Sequence, residues 1–183
     1  MVSYYNLALV PRSQALVESV TMLASANFAG QASDYILGTH ALPHVTLCQF
    51  KAEPETLAFV FAALEPVVID LQFTGIYIRP GAKIHQGKYW AGLYVKVAPS
   101  LLDLQKQMTE TLKILDLVCL TDSDSYVPHL TWARLNVDKP IAFTVLPDQS
   151  TFTQTYKFDL TVGESNELGM YSKPLWPECA MPE

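Results

Sequence analysis

Pro43-His44-Val45-Thr46-Leu47 and, about 85 positions later, Pro128-His129-Leu130-Thr131-Trp132 are two copies of one short pattern: proline, histidine, apolar residue, threonine, apolar residue. Each copy alternates with period two, and its proline stands where a strand tolerates one, at the entry. Both segments read as strands, at about 43–50 and 127–135. Within a strand, residues i and i+2 share a face about 6.6–6.8 Å apart. His44 therefore shares a face with Thr46, and His129 with Thr131, while Val45, Leu47, Leu130 and Trp132 point back into their own halves.

Working outward, the segments before the two copies share an order. Tyr5 to Val10 is a short apolar run closed by Pro11, and Ser13 can cap a helix over Gln14 to Ala26, with Leu16, Val20 and Leu23 at helical spacing. In the second half a β-rich run ending at Val97 is followed by Pro99-Ser100 and a helix from Leu101 to about Leu115, striped by Leu101, Leu104, Met108, Leu112 and Leu115. Between the halves, Glu53-Pro54-Glu55 opens a helix to about Leu64. Val67 to Arg79 and Lys88 to Val97 then form a hairpin around Pro80-Gly81. Asn27 to Ser33 reads as a polar break. The runs Ile141 to Val145 and Phe152 to Val162 read as further β-structure. Strand, helix and motif strand, twice over, predict an α+β chain, one two-lobed domain over residues 1–183 with a motif strand in each lobe.

Two such faces opposed across a cleft offer two imidazoles and two hydroxyls. Displacement at a phosphodiester needs a base for the attacking oxygen and an acid for the departing one. Histidine serves either role near neutral pH because its ordinary pKa is about 6.5. The threonine hydroxyls can donate to the non-bridging phosphate oxygens. Candidate catalytic residues are thus His44 and His129, and candidate phosphate-binding residues Thr46 and Thr131; the scheme uses no metal and no cofactor.

The two stretches, the second continuing Ala133-Arg134, resemble the paired His-x-Thr motifs of the 2H phosphoesterase superfamily, which includes 2′,3′-cyclic nucleotide phosphodiesterases and 2′-5′ RNA ligases. The resemblance covers nearly the whole chain. It implies a bilobal, duplicated, 2′-5′ RNA ligase-like fold, with two antiparallel sheets facing a central cleft and helices outside. It also implies metal-independent chemistry carried by His44, Thr46, His129 and Thr131. The expected activity is hydrolysis of a 2′,3′-cyclic, or ADP-ribose cyclic, phosphodiester to a phosphomonoester. The alternatives are a 2′-5′ RNA ligase or 2′-5′ phosphodiesterase acting on RNA ends, and a catalytically silent nucleotide-binding module. Arg134 is similar to the arginine that trails the motif in the RNA-ligase branch, but strand parity sets it on the face opposite His129 unless a bulge intervenes. Gln49 stands at the matching place in the first copy.

Other residues read more plainly. His40 and His44 could share a metal only on a helix, which Pro43 opposes, so His40 reads as a polar loop residue near the cleft. His85 lies in the 81–88 hairpin loop, a solvated tip or a lid. Tyr89, Trp90 and Tyr126 are candidates for stacking on a nucleobase, whereas Trp132 belongs to the core by parity. Parity also puts Cys48 on the His44 face.

Half of the 183 residues are hydrophobic and 16% are charged, ample for a buried core. A net charge of −6 is the opposite of what a duplex-binding surface requires, so a small nucleotide or an RNA end is the expected partner, with no duplex DNA. Cys48, Cys119 and Cys179 form neither a disulfide framework nor a zinc pattern, and the first residues lack a positively charged leader. These features predict a cytoplasmic protein that does not associate with a membrane. Both motifs in one chain predict a monomer.

Overall fold

The computed structural model describes residues 1–81, 86–121, 125–136 and 140–177. The first half holds β1 (Ser3–Pro11), α1 (Gln14–Phe28), β2 (Ala32–Ile36) and β3 (Val45–Ala52). A 3₁₀ turn (Pro54–Thr56) then runs into α2 (Leu57–Ala62). Next come β4 (Val68–Leu71), the hairpin of β5 (Phe73–Pro80) and β6 (Lys88–Val95), and then α3 (Pro99–Ile114) and β7 (His129–Asn136). A short α4 (Ser150–Thr153), β8 (Tyr156–Ser165) and β9 (Lys173–Trp176) complete the order.

All strand pairings are antiparallel, and the path runs β4-β8-β1-β3-β7-β6-β5 with β2 on β7 and β9 on β8. Where two separate sheets were expected, the hydrogen bonds trace one. Its centre is tenuous: β3 and β7 meet only at Val45 and Leu130, the apolar residues between His and Thr of the two motifs. The same edge of β7 is taken further along by β2, from Ala133 to Leu135.

The Ser13 hydroxyl accepts from the Leu16 amide and caps α1, satisfying one of the orphan donors at a helix start. Leu16, Val20, Leu23 and Ala24 form the buried stripe of that helix. The helices are exchanged between the halves relative to expectation. Helix α1 lies against β7, Phe28 beside the fully buried Trp132, while α3 lies against β3, where Thr109 meets Cys48. Each motif strand is thus backed by the helix of the other half, not its own.

Several segments depart from the sequence reading. Strand β2 starts at the end of the supposed break, at Ala32, and runs on through residues the sequence reading left unassigned; its Ser33-Asp34 positions are exposed and polar, and it pairs along only one edge. The β-run before the hairpin splits at Gln72 into β4 and β5, which join opposite ends of the sheet. Residues 141–145 are irregular, and the following β-run begins with a helical turn before β8. The tail supplies β9 despite its proline, which an edge strand tolerates.

Candidate active site

One local device builds both halves of the site. A carbonyl oxygen only accepts, so His44 donates Nδ1–H to the Leu42 carbonyl at 2.8 Å and His129 donates Nδ1–H to the Val127 carbonyl at 2.7 Å. In each motif the acceptor lies two residues back, across a buried proline, Pro43 or Pro128. The residue before a proline is driven into extended conformation, which turns that carbonyl toward the imidazole. Both rings are fixed in orientation with Nε2 left for the site. His44 is further held by Tyr171, whose ring lies 5.2 Å away at 33°.

After each threonine the strand carries one extra residue. Leu7 pairs with Cys48 and Ala8 with Thr46, leaving Leu47 unmatched; Ala91 pairs with Ala133 and Gly92 with Thr131, leaving Trp132 unmatched. These are β-bulges at equivalent places, and a bulge reverses the parity beyond it. Arg134 therefore lies on the His129 face and not opposite it, because it pairs with Trp90, which shares that face with Gly92 and Tyr94. Cys48 is likewise turned off the His44 face, fully buried, toward Thr109 of α3 at 3.2 Å. Gly92 makes the second bulge possible: a Cβ there would lie 2.1 Å from the Leu130 carbonyl oxygen and 2.9 Å from Thr131 Cα.

His44, Thr46, His129 and Thr131 all line one cavity of about 210 Å³ together with Tyr35, Arg79, Trp90, Leu168 and Gly169. A second chamber of about 260 Å³ adjoins it, sharing Thr46, Arg79, His129 and Gly169 and walled by Gln49, Thr121, Ser125 and Tyr126. The described residues lining the two chambers include the cation Arg79 and no carboxylate, in a chain with net charge −6. Arg79, on β5, brings Nη2 to 3.3 Å from His129 Nε2. The neighbouring Tyr77 hydroxyl is 2.9 Å from Thr131 Oγ1. On the other side, loop 166–171 is tied down by Asn6 donating to the Gly169 carbonyl and Gln49 donating to that of Asn166.

Burial, then the Arg79 cation, push the His129 pKa down to about 4, against the pull of the Val127 carbonyl. Burial also lowers that of His44, opposed by the Leu42 and Gly169 carbonyls, which favour the charged ring. Both shifts favour the neutral imidazole, more strongly for His129.

Of the remaining candidates, Trp90 lines the first chamber and Tyr126 the second, where its hydroxyl donates to the Thr46 carbonyl. Tyr89 falls on the opposite face and packs on the core, as Trp132 does. His40 sits exposed in the turn at 38–41 and lines neither chamber. His85 lies outside the described residues. Sequence reasoning missed Arg79 and Tyr35, and also the loop at Leu168-Gly169. No group of three or more His, Cys, Asp or Glu side chains among the described residues is placed to hold a metal ion, and no helix there is long and apolar enough to cross a membrane.

No protein-family model matches the chain, and no curated protein matches it in sequence. Solved structures do match its fold. E. coli LigT complexed with 3′-AMP aligns over 91% of this chain and 90% of its own, with a TM-score of 0.59 and 14% identity. A crystal structure of a phosphoesterase aligns over 96% of both chains, with a TM-score of 0.58 and 15% identity. The chain thus has the mixed α/β, antiparallel-sheet fold of LigT and this phosphoesterase, and the resemblance carried by its two motifs is matched at the level of fold.

Proposed function

We propose that this chain is a 2H phosphoesterase that hydrolyses 2′,3′-cyclic phosphodiesters, or the related cyclic phosphate of an ADP-ribose, to phosphomonoesters. The observation that carries the reading is the convergence of both histidines, both threonines and Arg79 on one cleft whose described lining holds no carboxylate. Such a lining favours an anion, and the phosphate of a small nucleotide supplies one. The LigT structure, which contains 3′-AMP, supports a nucleotide ligand.

In this mechanism His129 is the base. Its Nδ1–H is committed to Val127, and its Nε2 lone pair accepts from Arg79 Nη2 at 3.3 Å; that guanidinium opposes protonation there until the substrate phosphate draws it away and frees Nε2 for the water. His129 also borders both chambers, so it can reach a water in the second while the phosphate occupies the first. The water oxygen attacks phosphorus as its proton passes to His129 Nε2, and the bond from phosphorus to one ribose oxygen breaks. His44 enters the step as the imidazolium, its Nε2 proton taken from solvent as the anionic phosphodiester binds beside it, and gives that proton to the departing oxygen. Thr46 and Thr131 donate to the non-bridging oxygens, and Arg79 neutralises the charge that develops on them.

The repeated motif, the matching bulges and the single pairing between β3 and β7 support reading the chain as one duplicated, two-lobed unit. Both motifs in one chain, and cysteines without a disulfide pattern, support a cytoplasmic monomer. The test is phosphorus NMR of the four 2′,3′-cyclic nucleotides incubated with the protein in EDTA. A new phosphomonoester resonance is expected; unchanged cyclic resonances at high enzyme concentration would refute the proposal.

A further inference from the structure

Four residues on four strands form one row across the cleft face: Arg79 pairs with Trp90, Trp90 with Arg134, and Arg134 with Tyr35. Trp90 and Tyr35 line the chamber that holds the four motif residues, whereas Arg134 does not. Arg134 is 7% exposed, and its guanidinium carbon lies 5.6 Å from the centre of the Trp90 ring. Its Nη1 donates to Asp34 Oδ2 at 2.6 Å, while its Nε has no partner. The Tyr35 ring meets Trp90 edge-on at 5.6 Å and 76°. Trp90 is thus gripped by a cation on one side and a ring edge on another. A buried cation adds little stability where an apolar side chain of similar volume would pack as well, so its use here points to a role exerted through Trp90.

We infer that Trp90 is the platform on which the substrate's nucleobase stacks, and that Arg134 and Asp34 are positioning residues that set the angle of the indole. The inference rests on the two-histidine reading for the location of the phosphate. The spacing fits a nucleoside: Trp90 is one i to i+2 step, about 6.6–6.8 Å, from Gly92, which pairs with Thr131, leaving the length of a ribose between phosphate and base. The second chamber has the Tyr126 ring in its wall but does not include Thr131, whereas Trp90 and Thr131 line the same chamber. Arg134 therefore acts on the base through Trp90, and Arg79 is the arginine that meets the phosphate.

The experiment compares kcat/KM for adenosine 2′,3′-cyclic phosphate with that for a base-free methyl riboside 2′,3′-cyclic phosphate. The wild type should favour the nucleotide by about tenfold to a hundredfold, the range that stacking on one aromatic ring provides. Trp90→Ala should collapse that ratio toward one, and Trp90→Phe should keep part of it. Arg134→Met and Asp34→Asn should lower the ratio through KM, with Arg134→Lys, which keeps the ion pair, retaining more than Arg134→Met. A wild type without preference, or variants that slow both substrates equally, would overturn the inference. A second readout stands apart from turnover: tryptophan fluorescence titrated with adenosine 3′-phosphate and with ribose phosphate. If no substrate is turned over, the phosphodiesterase reading fails. Tighter binding of the nucleotide that Trp90→Ala removes would still support the platform, and equal binding of both ligands would overturn it.

Discussion

Gly92→Ala tests whether the bulge at Trp132 holds His129 and Thr131 in place. A methyl group at this position would lie 2.1 Å from the Leu130 carbonyl oxygen and 2.9 Å from Thr131 Cα, both of them backbone of β7. Ordinary contact begins at 3.4 Å, so β7 must retreat by roughly 1.3 Å, and no rotamer change can absorb it. Overpacking of this kind costs about 1–3 kcal/mol. For a chain of this size each kcal/mol lowers Tm by about 2–4 °C, so a fall of about 2–12 °C is expected. The displaced backbone carries His129 and Thr131, to which the proposed function assigns the base and a phosphate donor, and a shift of about 1 Å can cost about a hundredfold in rate. The assay pairs a thermal melt with turnover of a 2′,3′-cyclic nucleotide. A variant with wild-type melting temperature and wild-type turnover would refute the bulge as the device that positions the second motif.

Four further outcomes are expected. With the His129 pKa near 4, the acid limb of kcat/KM lies near pH 4 instead of the ordinary 6.5, and Arg79→Gln moves it upward while lowering kcat/KM, which a pH–rate profile reads. The same depression means that the unfolded chain binds more protons than the folded one between about pH 4 and 6.5. Stability is therefore present above that window and declines as pH falls through it, as melts at pH 7 and 5 will show. Asp34→Asn weakens the charge-assisted bond to the buried Arg134 and, with Asp34 itself half exposed, should cost about 1 kcal/mol in denaturant unfolding. Thr131→Val removes the proposed phosphate donor and the partner of the Tyr77 hydroxyl, and should lower kcat by about tenfold to a thousandfold, measured at saturating substrate.

The paired motifs were legible because proline entry, alternation and repetition are local signals, and the structure does bring all four motif side chains to one cleft. What parity could not supply was the bulge. Counting by twos through Thr131-Trp132-Ala133 and Thr46-Leu47-Cys48 places Arg134 and Cys48 on the wrong faces, since one unmatched residue reverses everything after it. A signal was present in Gly92, an isolated glycine inside a strand, which marks close approach of a neighbouring backbone. The exchange of helices between the halves left no such mark: an apolar stripe such as that of α1 says that it will be covered, not by which strand. Arg79 was obscured in the same way, because its approach to His129 depends on the register of β5, β6 and β7, which only the folded sheet sets. Strand β2 escaped because a short edge-paired strand with polar exposed positions carries no alternation to detect.

The central claim is that His44 and His129 act as the acid and base at one phosphodiester. It is tested most directly by measuring kcat for a 2′,3′-cyclic nucleotide with His44→Ala and His129→Ala beside the wild type, each checked by thermal melt and by binding of the product nucleotide. Folded variants that still bind product but lose about a hundredfold to ten-thousandfold in kcat, each on its own, are the predicted result. Turnover untouched by either substitution, or lost only together with the fold, would contradict it.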